Sequence, residues 1–250
     1  FAAESIAEYL RLCESDTIIN YLPLSFDYGL YQLLIAVYLG ATLILERTFA
    51  YPSDIIRAVR EHTVTVFPGV PTVYAVLANM AQSGGLTLPS VRVVTNTAAA
   101  LSDDLVSVIH SIFPKALLFK MYGLTECKRV SYLDPEELDK KPGSVGKAIP
   151  GTEVFLLSPE GSEVPPGELG TLHVRGPHVM LGYWNKPEET ARTLRPGRYP
   201  YERILATGDW FRMDEDGYLY FYGRSDEILK SRGEKVSPAE VESAIRSMDN

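Results

Sequence analysis

The 250-residue chain has two cysteines and four histidines. Cys13 and Cys127 lie far apart and match no disulfide or metal framework, which fits a reducing cytoplasm. His62, His110, His173 and His178 show no metal-ligand spacing, so neither a zinc site nor a Ser-His-Asp triad is readable. No G-x-x-x-x-G-K-[ST] loop and no G-x-G-x-x-G turn occurs, which removes the familiar phosphate cradles. Lys and Arg number 24 against 32 Asp and Glu, a net charge of -8, and the bases form no stripe. That balance argues against a nucleic-acid partner and against a polybasic lipid-binding face. The longest apolar run, from Leu33 to Leu45, is broken by Gly40 and is shorter than the ~18 residues of a membrane span. Paired acids such as Asp103-Asp104 and Glu136-Glu137 read as helix starts or solvated faces, not as a glycosidase pair.

What remains is an ordinary globular composition, 46% hydrophobic and 22% charged. Residues 1–121 alternate helical and strand-like stretches. TIINYL, ATLIL, VTVF, VRVVTN and ALLFKMY are the strand candidates. Between them fall helices over Leu30–Leu39, Ser53–Glu61 with Ser53 as cap, Thr72–Met80, and onward from Ser102. This rhythm predicts right-handed crossovers and a doubly wound, mainly parallel α/β sheet, in which ligands bind beyond the carboxyl ends of the strands. The pattern then changes to short strands (EVFLL, GTLHVRG, VMLGYW) punctuated by Gly and Pro, which predicts a small antiparallel, barrel-like subdomain. We expect three regions: 1–141, 142–225, and 226–250 as a hinge opening an α+β domain, with a helix over Ser237–Ser247.

Two stretches carry chemistry. Tyr122-Gly123-Leu124-Thr125-Glu126 follows the last parallel strand: Gly123 admits close backbone approach, Thr125 offers donors to an anion, and Glu126 is a hard oxygen ligand suited to Mg²⁺. A plain strand-end turn would use the same residues. The second stretch is a hairpin turning at Asp216-Gly217, with Asp209 and Arg224 at its open end; a polar ligand or solvated tips would both fit.

YGLTE at 122–126, GELGTLHVRGPHVMLGYWNKPEET at 167–190, TGDWF at 207–211 and GRSDEILKSRGEKVSPAEVE at 223–242 together resemble the adenylate-forming superfamily, closest to its acyl-CoA synthetases. The resemblance implies ATP-dependent activation of a small carboxylic acid as an acyl-adenylate, with Mg²⁺, followed by transfer to coenzyme A. A carrier protein as acceptor, or a noncatalytic nucleotide- or partner-binding module, are the alternatives. It also implies roles: Tyr122 stacks on adenine, Thr125 bonds the α-phosphate, Glu126 ligates Mg²⁺, Asp209 holds the ribose hydroxyls, and Arg224 reaches the ribose and phosphate side. Thr97, Ala98 and Ala99 match the loop beside adenine, replacing the usual Gly-Gly-Ala. Asp226 matches the hinge, and Gly233 the loop lining the thiol tunnel.

Phe26-Asp27 falls on the substrate-pocket motif and resembles the Phe-Asp of amino-acid adenylation domains, whose aspartate pairs with the substrate amine. Either Asp27 selects an acid bearing a donor group, or it caps a helix beginning near Gly29. The superfamily's Ser/Thr/Gly-rich phosphate loop and its C-terminal lysine find no match in the chain. The expectation is therefore half of a nucleotide site, unable by itself to form an acyl-adenylate at a useful rate.

Overall fold

The strands TIIN, VFPG, VVTN and LLFKMY are buried almost end to end, as strands covered by helices on both faces must be. They are seen in a computed structural model of the chain, which describes residues 1–97, 101–227, 229–231, 234–236, 241 and 245. Two compact units are present, Phe1–Lys140 and Lys141–Asn250.

Unit one runs α1 (Ala2–Tyr9), β1 (Thr17–Asn20), α2 (Asp27–Leu39), β2 (Thr42–Leu45), α3 (Pro52–Glu61), β3 (Val66–Gly69), α4 (Pro71–Gly84), β4 (Val93–Asn96), α5 (Asp103–Ile112), β5 (Leu117–Tyr122), β6 (Ser131–Leu133) and a 3₁₀ turn at Pro135–Glu137. The strand order is β2-β1-β3-β4-β5-β6, parallel throughout except for β6, which returns antiparallel on β5. The chain steps from β1 to β2 in one direction and then back past β1 to β3. That reversal places a topological switch point beside β1 and β3, where a crevice opens at the carboxyl edge of such a sheet.

Alternate residues of each strand face opposite layers. Ile19, Phe67, Val94 and Leu118 join Ile55 and Val59 of α3, Tyr74 and Leu77 of α4, and Ile109 and Phe113 of α5 in one core. On α1, Tyr9 stacks on Tyr132 with ring centroids 4.1 Å apart and donates its hydroxyl to Met121 Sδ at 3.1 Å. Burial of so many complete side chains at ~1.5–3 kcal/mol each is the main stabilising term for this unit. Helix ends follow local chemistry. Ser102 caps α5 by accepting from the Leu105 N–H, and Gly40 ends α2 at φ +71. Ser53 is not a cap: α3 begins one residue earlier, at Pro52, which has no N–H to leave unsatisfied.

Unit two comprises β7 (Lys147–Ala148), β8 (Glu153–Leu157), β9 (Leu169–Arg175), α6 (Pro187–Thr193), β10 (Leu194–Pro196), β11 (Arg203–Met213) and β12 (Leu219–Arg224). An antiparallel sheet orders β10-β11-β9-β8, with β12 pairing the C-terminal part of β11 on the edge away from β9. Two further strands, β13 (Leu229–Ser231) and β14 (Glu234–Val236), pair antiparallel. VMLGYW forms no strand: Gly182 stands at φ +147, and Leu181 and Trp184 are exposed. The helix expected over Ser237–Ser247 lies outside the described residues, apart from single helical positions at Val241 and Ile245. No helix among the described residues is long and apolar enough to cross a membrane.

Candidate active site

In unit one, the carboxyl ends of β1, β3, β4 and β5 are tied together by a buried polar lattice. Tyr28, at the start of α2, accepts from the Gly69 N–H at 3.1 Å and lies 2.6 Å from Thr95 Oγ1. Tyr74 donates to the Thr95 carbonyl at 2.7 Å. Burial pushes the Tyr28 phenol up to about 12, so it remains a neutral donor. The β1–α2 connection is drawn tight by Asn20, whose amide donates to the Gly29 carbonyl at 3.2 Å while its oxygen accepts from the Leu22 N–H. A Cβ on Gly29 would sit 2.4 Å from the Pro23 carbonyl oxygen, so only glycine fits.

The turn after β5 holds most of the sequence-predicted residues. Tyr122 is the last residue of the strand, Thr125 is exposed, and Glu126 is half-buried. The chain then doubles back, Lys128 N–H donating to the Leu124 carbonyl at 2.7 Å and Val130 N–H to that of Tyr122 at 3.0 Å. This return explains Gly123. An added Cβ would lie 2.3 Å from the Lys128 carbonyl oxygen, so the backbone that comes close here is the chain's own. Arg129 is almost fully buried, and its Nη1 donates to Thr97 Oγ1 at 2.9 Å. That bond couples the end of β4 to the turn after β5. Ala98 and Ala99 lie outside the described residues.

Asp27 is already helical, in the first turn of α2; Phe26 is the cap position, exposed, and makes no side-chain capping bond. The capping reading for Asp27 therefore fails. Its carboxylate accepts from Lys128 Nζ at 3.2 Å. The Lys128 side chain is 6% exposed and that of Asp27 35%. The ammonium also faces the rings of Tyr31 at 4.7 Å and Tyr28 at 5.3 Å. Burial, and then the neighbouring Arg129, bring the Lys128 ammonium down to about 7 against the partial support of Asp27. Lys128 and Arg129 were not singled out from the sequence. Their signal, two adjacent bases directly after YGLTEC, was present but without pattern.

In unit two, β11 bulges against β9 between Ala206 and Trp210, with Gly208 at φ +76. The bulge is pinned by Thr207, which donates to the Leu172 carbonyl at 2.9 Å and accepts from the Asp209 N–H at 3.1 Å. Asp209 is thereby set against its register partner Arg224, Nη1 to Oδ1 at 3.5 Å. The aspartate side chain is 6% exposed and the arginine 50%. Arg224 Nε also reaches Asp226 Oδ1 at 3.2 Å, so the residue matched to the hinge shares a cation with the pair. The turn forms at Asp216-Gly217, with Asp214 Oδ1 accepting from the Tyr218 N–H at 2.8 Å. Gly233 lies outside the described residues. His173 is structural: it stacks on Phe155 and bonds the Thr171 carbonyl.

No group of three or more metal-ligating side chains occurs among the described residues. Glu126 alone, with the Thr125 hydroxyl on the same turn, still suits Mg²⁺, which binds through one or two carboxylates and completes its shell with substrate phosphates and water.

Comparison with known proteins places this arrangement. Residues 1–184 match the family model of the AMP-binding enzyme. The chain is 34% identical over 233 residues to a long-chain-fatty-acid–CoA ligase of Bacillus subtilis (strain 168), covering 92% of this chain and 40% of the relative. Among solved structures, O-succinylbenzoate coenzyme A synthetase (MenE) from Bacillus subtilis, in complex with ATP and magnesium ion, superposes with a TM-score of 0.88 at 30% identity, over 99% of this chain and 50% of that one. VinN in complex with L-aspartate gives a TM-score of 0.78 at 38% identity, over 89% and 53%. The chain thus spans about 40% of the length of the curated relative it matches. With the switch-point sheet, the turn after β5 and the bulged hairpin all in place, the chain belongs to the AMP-binding, adenylate-forming enzyme family.

Proposed function

We propose that this chain carries nucleotide- and acid-binding residues of an AMP-forming acid:CoA ligase. The observation that supports it best is the Arg129–Thr97 bond, which holds the β4 end beside the Tyr122–Glu126 turn at the sheet's carboxyl edge. Tyr122 stacks on adenine beside the Thr97–Ala99 segment. Thr125 bonds the α-phosphate and Glu126 ligates Mg²⁺. Mg²⁺, when bound, neutralises phosphate charge and orients the leaving group. In unit two, Asp209 accepts from the ribose hydroxyls and Arg224 balances the aspartate. Asp226 is the hinge, and Gly233 belongs to the loop that meets the thiol.

The reaction has two steps. A carboxylate oxygen of the acid attacks the α-phosphorus of ATP, and the bond to the bridging oxygen of pyrophosphate breaks, giving an acyl-adenylate. The thiolate of coenzyme A then attacks the acyl carbonyl, and AMP leaves with the bonding pair. The residues act by alignment and charge neutralisation, not by general base chemistry.

The acid carries an amine that Asp27 accepts, beside Phe26. Asp27 supports this by its position at the switch point and its partial exposure, and a relative has been solved with L-aspartate. Calorimetric titration with AMP tests the nucleotide half: saturable binding is expected, weakened roughly 10- to 100-fold by Asp209→Asn. Absence of binding both by AMP and by a nonhydrolysable acyl-AMP analogue would leave a partner-binding module instead. Asp27→Asn should alter which acyl-AMP analogue is preferred, and an unchanged preference would remove its role.

A further inference from the structure

In unit two, the loop from β10 to β11 closes around one carboxylate. Glu202 Oε2 accepts from the backbone N–H groups of Arg198 at 2.5 Å and Tyr199 at 3.2 Å, and its Oε1 lies 3.4 Å from Arg175 Nε. The Gly197 N–H donates to the Glu202 carbonyl at 2.9 Å. This tied loop holds Tyr201 at φ +67, a left-handed conformation unfavourable to any residue with a Cβ, and leaves its ring wholly in solvent. No burial of the ring offsets the strain. Tyr201 stands between two hollows of about 400 and 440 Å³. Pro177, Val179 and Met180 line the first, and Pro187, Ala191 and Leu194 the second. Leu181, on the first hollow, is 87% exposed, and Trp184, three residues before α6, is 89% exposed. Large apolar groups gathered in solvent, one of them on a strained backbone, mark a surface made for contact.

The charge around these hollows says what the contact is. Residues 175–203 carry six Lys and Arg against three Glu, in a chain that has 24 bases against 32 acids. The three acids are already paired, Glu202 with Arg175, Glu189 with Lys186 and Glu188 with Arg192. Arg195, Arg198 and Arg203 are left over, all exposed, with no carboxylate paired to them among the described residues. Arg195 borders the second hollow and Arg203 both. We propose that this surface docks an acidic protein partner, an amphipathic helix whose aliphatic side chains enter the two hollows beside Tyr201 while its flanking carboxylates meet Arg195, Arg198 and Arg203. Two neighbouring apolar seats suit two anchors on one face of a helix. A long polyanion, such as nucleic acid or an anionic membrane, would also meet the chain's net charge of -8, whereas a compact acidic face meets only the local excess of arginine.

The test titrates the full chain with a synthetic helical peptide carrying leucines along one face and glutamates on its flanks, and with its glutamine-for-glutamate counterpart. Trp184 is the reporter: of the chain's two tryptophans it is the exposed one, and Trp210 is buried. The acidic peptide should move the emission to shorter wavelength, saturate, and bind at least roughly 10-fold more tightly than the glutamine form, with the difference shrinking at high salt. Tyr201→Gly suits φ +67 and should weaken binding about 10-fold or more without lowering the melting temperature. None of these residues belongs to the proposed nucleotide site, so AMP binding should be unchanged in the variant. An unshifted emission, equal affinity for the two peptides, or undiminished binding by Tyr201→Gly would overturn the inference. So would tighter binding of oligothymidylate or phosphatidylglycerol vesicles, which would make the surface a general polyanion site. A concentration-dependent dimer in sedimentation velocity that Tyr201→Gly dissolves would give the surface to a second copy and overturn it too. Should the variant fail to fold, the peptide ratio in the unsubstituted chain decides.

Discussion

Replacing Lys128 by methionine should make the protein more stable. The ammonium lies under two tyrosine rings with one half-open carboxylate for a partner, and its proton affinity has dropped from the ordinary 10.5 to about 7. At ~1.4 kcal/mol per tenfold, keeping this group in the fold costs roughly 3–5 kcal/mol at neutral pH. Methionine keeps the length and apolar stem without the charge. Asp27, freed of its partner, is exposed enough to be solvated, which limits the offset to about 1 kcal/mol. The sign with pH is fixed. Between about 7 and 10.5 the unfolded chain binds a proton that the folded chain has lost, so the stability of the unsubstituted protein rises across that window. Below about 7 both states are protonated and the penalty is constant. Thermal unfolding followed by circular dichroism should therefore show Lys128→Met melting some 5–15 °C higher at pH 6, at ~2–4 °C per kcal/mol, with the gap closing toward pH 10.5. A variant that melts at or below the parent at pH 6, or a gap independent of pH, would refute the reasoning.

Two further outcomes are expected. Gly123→Ala places a Cβ 2.3 Å from the Lys128 carbonyl oxygen and 3.0 Å from Arg129 Cα, both backbone atoms that cannot swing aside; it should cost at least ~2 kcal/mol in chemical denaturation and weaken AMP binding, and a neutral effect would show that the turn is loose. Cys13 is exposed, whereas burial and then Glu126 raise the Cys127 thiol to about 12, so a thiol-reactive dye should label one cysteine in the native chain and two after unfolding. Two equally fast labelling events would contradict the packing around Cys127.

The fold class was legible because its strands are buried on both faces. VVTN and LLFKMY open on adjacent apolar residues with no alternation and stay buried almost throughout, Thr95, Asn96 and Lys120 included, as a helix-covered parallel strand does and a half-exposed strand does not. Errors arose where local chemistry had two outlets. Ser53 is a good capping residue, but Pro52 beside it is a good first helical residue, and the helix took the proline. VMLGYW has a strand's apolar content, yet no strand among the described residues pairs with it, and Leu181 and Trp184 stay in solvent. Strand propensity describes fitness for a sheet surface, and a sheet must be there to use it.

The site was legible only where its residues are contiguous. Tyr122 to Glu126 and Thr207 to Asp209 are short local words, each built around a glycine that the backbone requires: Gly123 to admit the returning chain, Gly208 to turn the bulge that sets Asp209 against Arg224. Lys128 and Arg129 escaped because their meaning lies at the other end of long loops in sequence, in Asp27 and Thr97. An acid facing a pocket needs a cation, and from the sequence that cation could only be assigned to the substrate. The fold supplies one internally, and this changes the question the pocket asks of its ligand. With Lys128 already on Asp27, an amine entering the pocket would have to compete for a carboxylate the fold has already bonded. The cation that holds Asp27 is thus the same one whose burial weakens the fold.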